Sequence, residues 1–318
     1  MLGGNTDKTH HRIASRSRRI RRLETSDTAA MNLAVQVPAT SANLGPGFDV
    51  LGMALSLYAT VAVCPIGETE AVSDGHPAMQ AFVRAGGQGA LWVDSPIPSG
   101  RGLGFSGAVR VGGVCLGLAQ KAGVTDKDLP VFITEHCDDI IRIAAELEGH
   151  FDNVAASVLG GIVAASPQST VAVPVSAQVL EEIRVVAWVP FFQTSTASSR
   201  ATLPTNIDRV DAVFNIARST QMVIALTSGD LELLRTSMTD RLHQDQRLEE
   251  TPKCREVMNR MIECGAISSW LSGSGPTVAA FVEQSGAEKI AESLSYEFPD
   301  GHAKVLGIDR LGLRSVTV

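Results

Sequence analysis

Residues 98–108, PSGRGLGFSGA, place four glycines and two serines directly before an apolar, helix-like segment. Such a stretch suits anion binding, because glycine lets backbone N–H groups approach a ligand closely. A helix starting just beyond it adds unpaired N–H donors and a positive dipole end. Phosphate is the usual occupant of that arrangement. Gly102, Gly104 and Gly107 also satisfy G-x-G-x-x-G, a spacing used for dinucleotides. That reading needs a buried strand beforehand, and Pro96 and Pro98 spoil one. No Gly-Lys-Ser/Thr occurs, so the loop is not of the Walker A type.

A second cluster, Glu148-Gly-His-Phe-Asp-Asn153, gathers two carboxylates, an imidazole and a carboxamide at a helix–loop junction. It can hold a metal, orient a polar substrate or accept a proton. Alternatively, Asp152 or Asn153 simply caps the next helix. His136, Cys137, Asp138 and Asp139 also carry metal-ligating groups, but consecutive residues diverge around a helix, which fits a solvated face. Leu271–Thr277, LSGSGPT, reads as a hairpin turn or as a second surface over a ligand held by the first loop. Arg200 and Arg247 lie in polar segments. They become a carboxylate site only if the fold brings them together, since arginine can grip that group bidentately.

These groups need elements to position them. Alternation predicts strands at Leu33–Pro38 and Met53–Val63 around a Ser/Asn/Gly loop, Thr40–Gly47. Residues 65–97, rich in Gly and Pro, resist assignment. Helical stretches are expected at Val109–Ala122, Leu129–Glu148 and Asn153–Leu159, then a strand at Ile162–Ala165. The second half reads as a strand at Ile183–Val189 and a Thr/Ser loop, Gln193–Ser199. Helices follow at Arg209–Thr227 and Leu231–Thr239, with Gly229 and Asp230 as stop and cap. Lys253–Cys264 is helical, Ser269–Val282 is strand–turn–strand, Ala287–Leu294 is helical, and Ala303–Val318 is mostly strand. Mixed rather than strictly alternating elements favour an α+β architecture with two lobes.

The chain has 318 residues, 44% apolar and 19% charged, enough for a substantial core in one large or two ordinary domains. Residues 1–30 carry a net charge of +4, so against −7 overall the remainder carries −11. An acidic body argues against nucleic acid as a partner. The basic tail lacks apolar periodicity and is expected to be disordered. The longest weakly polar run, 154–165, is too short to span a membrane. Five cysteines without a CxxC pair fit reduced thiols in a cytoplasmic protein.

The order of these motifs resembles the homoserine kinases of the GHMP small-molecule kinase superfamily, with the actinobacterial form nearest. VPATSANLGPGFDVLGMAL (37–55), PSGRGLGFSGA (98–108) and ELEGHFDNVAASVLGG (146–161) carry the likeness. TSTASSRATLP (194–204), HQDQR (243–247) and LSGSGPT (271–277) complete it. The resemblance implies a two-lobed GHMP fold: a ribosomal S5 domain 2-like N-terminal lobe (31–180) and a ferredoxin-like C-terminal lobe (181–318). It implies ATP-dependent phosphorylation of the L-homoserine hydroxyl in threonine biosynthesis, with Mg²⁺, and a homodimer. By position, Pro98, Ser99, Gly100, Arg101, Gly102, Leu103, Gly104, Phe105, Ser106, Gly107 and Ala108 would cradle the nucleotide. Ser106 and Glu148, rather than Glu146, would hold Mg²⁺. Asn43, Asp49, His150, Asp152 and Asn153 would line the substrate site, Arg200 and Arg247 would take its carboxylate, and Asp152, Asn43 and Arg200 would carry catalysis. Asp152 would accept the hydroxyl proton or orient the substrate. A GHMP kinase for another amino alcohol such as threonine, or a non-catalytic homologue, shares these motifs. Phe105 and Gly107 depart from the family's usual Gly-Leu-Gly-Ser-Ser-Ala, and residues 50–97 are shorter than usual. Both departures bear on the nucleotide side.

Overall fold

The computed structural model describes residues 33–64 and 71–318. The expected basic tail lies outside them. The chain opens with β1 (Ala34–Ala42) and the long β2 (Leu51–Val63), paired antiparallel with a register shift between Pro38 and Ala39. Then come α1 (Pro77–Arg84) and β3 (Leu91–Asp94), inside the stretch the sequence leaves unassigned. The small-residue helix α2 runs from Phe105 to Lys121 and so begins within the glycine loop, four residues before the expected start. The expected single helix over 129–148 is two, α3 (Leu129–Glu135) and α4 (Cys137–Glu148). They part at His136, whose ring stacks on Phe132 with centroids 4.0 Å apart. Next are α5 (Asp152–Leu159), β4 (Ile162–Ala165), β5 (Thr170–Val173) and α6 (Ala177–Glu182).

The remaining elements are β6 (Ile183–Pro190), α7 (Thr196–Ala201), α8 (Arg209–Ser228), α9 (Leu231–Ser237) and α10 (Gln244–Glu249). After them come α11 (Pro252–Glu263), β7 (Ser268–Leu271), β8 (Val278–Glu283), α12 (Gln284–Glu297), β9 (Gly301–Leu306) and β10 (Arg314–Ser315). Gly229 closes α8 in a left-handed conformation, and Asp230 caps α9 through Leu233 N–H at 2.9 Å, as expected. The expected strand over 303–318 is corrected to β9 and the two-residue β10. Between them Asp309 and Gly312 turn the chain back toward the first sheet.

Two sheets result. The first has the order β10-β1-β2-β4-β5, with β3 also on β2. The second, β7-β8-β6-β9, is antiparallel throughout. Its chain order, strand–helix–strand–strand–helix–strand, is the ferredoxin-like split βαβ arrangement. The fold is α+β, as the sequence implies. Helix α2 lies between the first sheet and α1, which explains its small residues. A Cβ on Gly113 would run into the Ala78 carbonyl of α1. Close helix packing here needs glycine, whatever it costs in helix propensity. Among the described residues no helix is long and apolar enough to cross a membrane, and no cysteine is disulfide-bonded.

The segment after β9 serves as a latch. The buried Asp309 accepts from Tyr58 Oη (2.9 Å), Arg314 Nη1 (3.2 Å) and the N–H groups of Leu311 (3.1 Å) and Gly312 (2.7 Å). Its own backbone bonds Ala54 O and Gly161 N–H, pinning the corner between α5 and β4. Removing the carboxylate strands several buried donors at once. Asp309→Ala is expected to cost about 2–4 kcal/mol and, at this chain length, to lower Tm by roughly 3–6 °C in scanning calorimetry.

Candidate active site

A cleft of about 720 Å³ collects most of the singled-out residues. One wall is the glycine loop. Gly104 precedes α2 with φ of 70° and no side-chain cap, and a Cβ there would strike the Thr40 hydroxyl. Among the described residues the N–H groups of Phe105, Ser106 and Gly107 find no acceptor, and the first turn of α2 holds no acidic residue. Unpaired donors at a helix start are what an anion seat requires. The loop is stitched down on its other face: Leu103 O accepts Thr40 N–H (3.1 Å), and Gly102 O accepts Ser272 Oγ (2.6 Å). Arg101 donates to Pro190 O (2.9 Å) and Phe191 O (2.8 Å), so its charge anchors the loop to the end of β6.

Not every loop residue reaches the cleft. Pro98–Gly102, Gly104, Phe105 and Ser106 line it, whereas Leu103 is core and Gly107 and Ala108 are buried in α2. Phe105 turns its ring edge-on to His76, with centroids 6.0 Å apart. His76 caps α1 by accepting Ala78 N–H, and burial lowers its pKa. Ser73, Gly75, His76 and Pro77 add a wall that the sequence had left blank.

The second cluster sits across from the loop. Glu148, at the end of α4, accepts Ser106 Oγ at 2.9 Å, while Glu146 points away to Arg142 and Arg84. Arg110, one turn along α2 from Ser106, donates to both Ser106 and Glu148. It was not among the residues singled out. A lone arginine in an otherwise apolar helix was the available signal. Asp152 is 2% exposed at the first position of α5, with Oδ1 bonded to Asn153 N–H (2.7 Å). Asn153 Oδ1 accepts Thr40 Oγ1 (2.7 Å), another residue the sequence did not mark. His150 Nδ1 lies 3.3 Å from Asp152 Oδ1 but makes no aligned hydrogen bond. His136, Cys137, Asp138 and Asp139 lie outside the cleft lining.

The third wall brings the arginines together. Arg200 forks onto Asp49, both bonds 2.8 Å, and those bonds raise its pKa. Asn43 (φ 69°) and Asp49 (φ 56°) both adopt left-handed backbone. Asn43 accepts Asp49 N–H (3.0 Å) and donates to Gly273 O (2.8 Å), so its amide ties the turn after β1 to the turn after β7. Arg247 is 5% exposed. It donates to Gly273 O and His243 Nδ1, each at 3.1 Å, and lies over the Phe48 ring. Its Nη2 has no protein acceptor among the described residues, leaving one donor edge for a ligand. Burial lowers its pKa, with Asp49 opposing that shift.

An α+β fold with a glycine loop opening into α2 and a ferredoxin-like second sheet fits the GHMP class of small-molecule kinases. The family descriptions "GHMP kinases N terminal domain" and "GHMP kinases C terminal" match residues 75–161 and 222–300. A homoserine kinase from Thermus thermophilus is 37% identical over 86% of this chain and 94% of its own length. One from Corynebacterium glutamicum is also 37% identical, over 81% and 88%. The actinobacterial relative is thus level with the Thermus one. The crystal structure of a homoserine kinase from Cytophaga hutchinsonii superposes with a TM-score of 0.73 at 24% identity, covering 91% of this chain and 98% of that one. The chain belongs to the homoserine kinase family of GHMP kinases.

His243 links this wall to pH. Arginine cannot accept and a carbonyl cannot donate, so the bonds to Arg247 and Gly45 O (2.8 Å) assign the single imidazole proton to Nε2. Burial pushes its pKa below the usual histidine value, Arg247 adds to that shift, and Asp240 and Gly45 O oppose it. The unfolded chain therefore takes up this proton near pH 6.5 while the native state resists it. Stability present above that pH is lost as pH falls below it, by at most about 1.4 kcal/mol per pH unit. In urea unfolding at pH 7.5 and 5.5, His243→Gln is expected to show a smaller loss than the wild type.

Proposed function

We propose that this kinase transfers the γ-phosphoryl group of ATP to the side-chain hydroxyl of L-homoserine. One observation carries the reading: an anion seat at the start of α2 and a two-arginine carboxylate site share one cleft, with buried Asp152 among its lining residues. Phosphoryl transfer needs charge neutralisation and in-line positioning more than covalent help. The free N–H groups of Phe105 and Ser106, which line the cleft, meet the phosphates. Phe105 and His76 form an aromatic wall beside them, which suits the base and sugar end of a nucleotide.

On the other side, the Arg200–Asp49 fork is a ready match for an amino acid. Arg200 and the open edge of Arg247 take its carboxylate, and Asp49 takes its ammonium group. Asp152, tied at Oδ1 to Asn153 N–H, accepts the hydrogen bond of the substrate hydroxyl and orients its attack. The asparagine is held in turn by Thr40. Asn43 acts as a brace between two turns. Such positioning can supply several kcal/mol of rate enhancement.

Mg²⁺ suits the pair Ser106 and Glu148. A hydroxyl and a carboxylate side by side, 2.9 Å apart, are hard oxygen donors of the kind that would hold this ion together with the phosphates. When bound there, the ion supplies charge neutralisation to the transferring phosphoryl group.

A coupled ADP-release assay with Mg-ATP is expected to show turnover with L-homoserine and far less with L-threonine or L-serine. No turnover, with no thermal shift by ATP, would exclude the kinase reading. Arg247→Ala is expected to raise KM for homoserine by about 10–100-fold, the worth of a charged hydrogen bond, and KM for ATP far less. Equal effects on both would remove the carboxylate role.

A further inference from the structure

The pair that suits Mg²⁺ already carries a cation. Arg110 lies four residues beyond Ser106 on α2, so both project from one face of the helix. Its Nη1 donates to Ser106 Oγ and to Glu148 Oε2, the same two oxygens that stand 2.9 Å apart. All three side chains are largely withdrawn from water, and the Arg110–Glu148 ion pair is 19% and 12% exposed at its two ends. Among the described residues no other carboxylate is bonded to Arg110. A guanidinium is a fixed charge that ordinary pH does not remove. Breaking a buried pair by withdrawing one partner leaves the other unpaired at considerable cost.

We propose that Arg110 is a resident cation on the metal ligands of this kinase. It holds Glu148 and Ser106 in place when the ion is absent and competes with Mg²⁺ for the same oxygens. Mg²⁺ demands near-ideal octahedral geometry and close oxygen contacts. The guanidinium nitrogen occupies the space between the two donors, so the ion enters only as Arg110 leaves. Repulsion between the two cations adds to that threshold. The metal affinity of the nucleotide complex is therefore set by α2 as much as by Glu148. This inference rests on Ser106 and Glu148 being the metal ligands.

The test uses the full chain with a non-hydrolysable ATP analogue and Mn²⁺ as the probe. Protein-bound Mn²⁺ is read by electron paramagnetic resonance, without turnover. Arg110→Met, which keeps the bulk and removes the charge, is expected to bind Mn²⁺ at least about tenfold more tightly than the wild type. Arg110→Lys, which keeps the charge, should stay near the wild type, and it serves as the folded comparison if the methionine variant melts early. Adding Glu148→Gln to Arg110→Met should abolish the gain. Unchanged Mn²⁺ affinity in a cooperatively melting Arg110→Met would overturn the proposal, as would a gain that survives Glu148→Gln. A lysine variant as tight as the methionine variant would do the same. Absence of homoserine turnover alongside the expected Mn²⁺ shifts would sink the substrate assignment and leave Arg110's role standing.

Discussion

The site depends on a short row of backbone carbonyls in the turn between β7 and β8. Gly273 O receives Asn43 and Arg247, Ser274 O receives Ser199 Oγ at 3.0 Å, and Gly275 O receives Thr194 Oγ1 at 3.1 Å. Just before them, Ser272 Oγ reaches Gly102 O and Ser41 Oγ. The turn thus gathers the end of β1, the glycine loop, the segment around α7 and the arginine of α10. Each of these contributes one side of the cleft, and the segment around α7 also bonds the glycine loop through Thr194 N–H and Gly100 O at 3.1 Å. Backbone acceptors suit this task because they are uncharged and cannot rotate away. They satisfy a buried guanidinium without neutralising it, so Arg247 keeps its charge for a ligand.

Charge is then distributed by depth. The body of the chain is acidic, yet the cleft presents helix N–H groups, Arg200 and Arg247. The carboxylates that enter it are each held: Asp49 by Arg200, Glu148 by Arg110 and Asp152 by the first turn of α5. Net charge along the sequence argued against nucleic acid but said nothing about the donors gathered inside. Their local field comes from placement at close range, where dielectric screening is weak.

How much of this was legible in the sequence depended on the range of the physics involved. Gly229 and Asp230 announce a helix stop and start through purely local chemistry, and the structure places both as read. The ordered motifs also carried the fold and the family. The start of α2 was read too late because Gly104 caps it by conformation alone, with no side-chain signal. The break at His136 has no proline or glycine to mark it. Arg200 and Asp49 are 151 residues apart, and no spacing rule connects them. Phe105 looked like an intrusion into the phosphate loop, yet its ring has a partner in His76, from the stretch of least readable composition. Glu148 faces Ser106 while Glu146 turns to Arg142, yet the arginine that holds Glu148 carried no signal among its valines.

The latch at Asp309 has a consequence for how the molecule comes into being. Tyr58 and Asp309 are 251 residues apart in the chain, and the corner that seats α5 is closed only when they meet. At ordinary rates of synthesis the first sheet waits roughly 10–50 seconds for that partner to emerge. Until then the helix carrying Asp152 packs on β1, β2 and α4, with Ser157 Oγ on Pro38 O at 3.2 Å, but the corner that follows it lacks its clamp. The latch and the turn between β7 and β8 both come late in the chain, so the first sheet and the cleft receive their last fastenings near the end of synthesis.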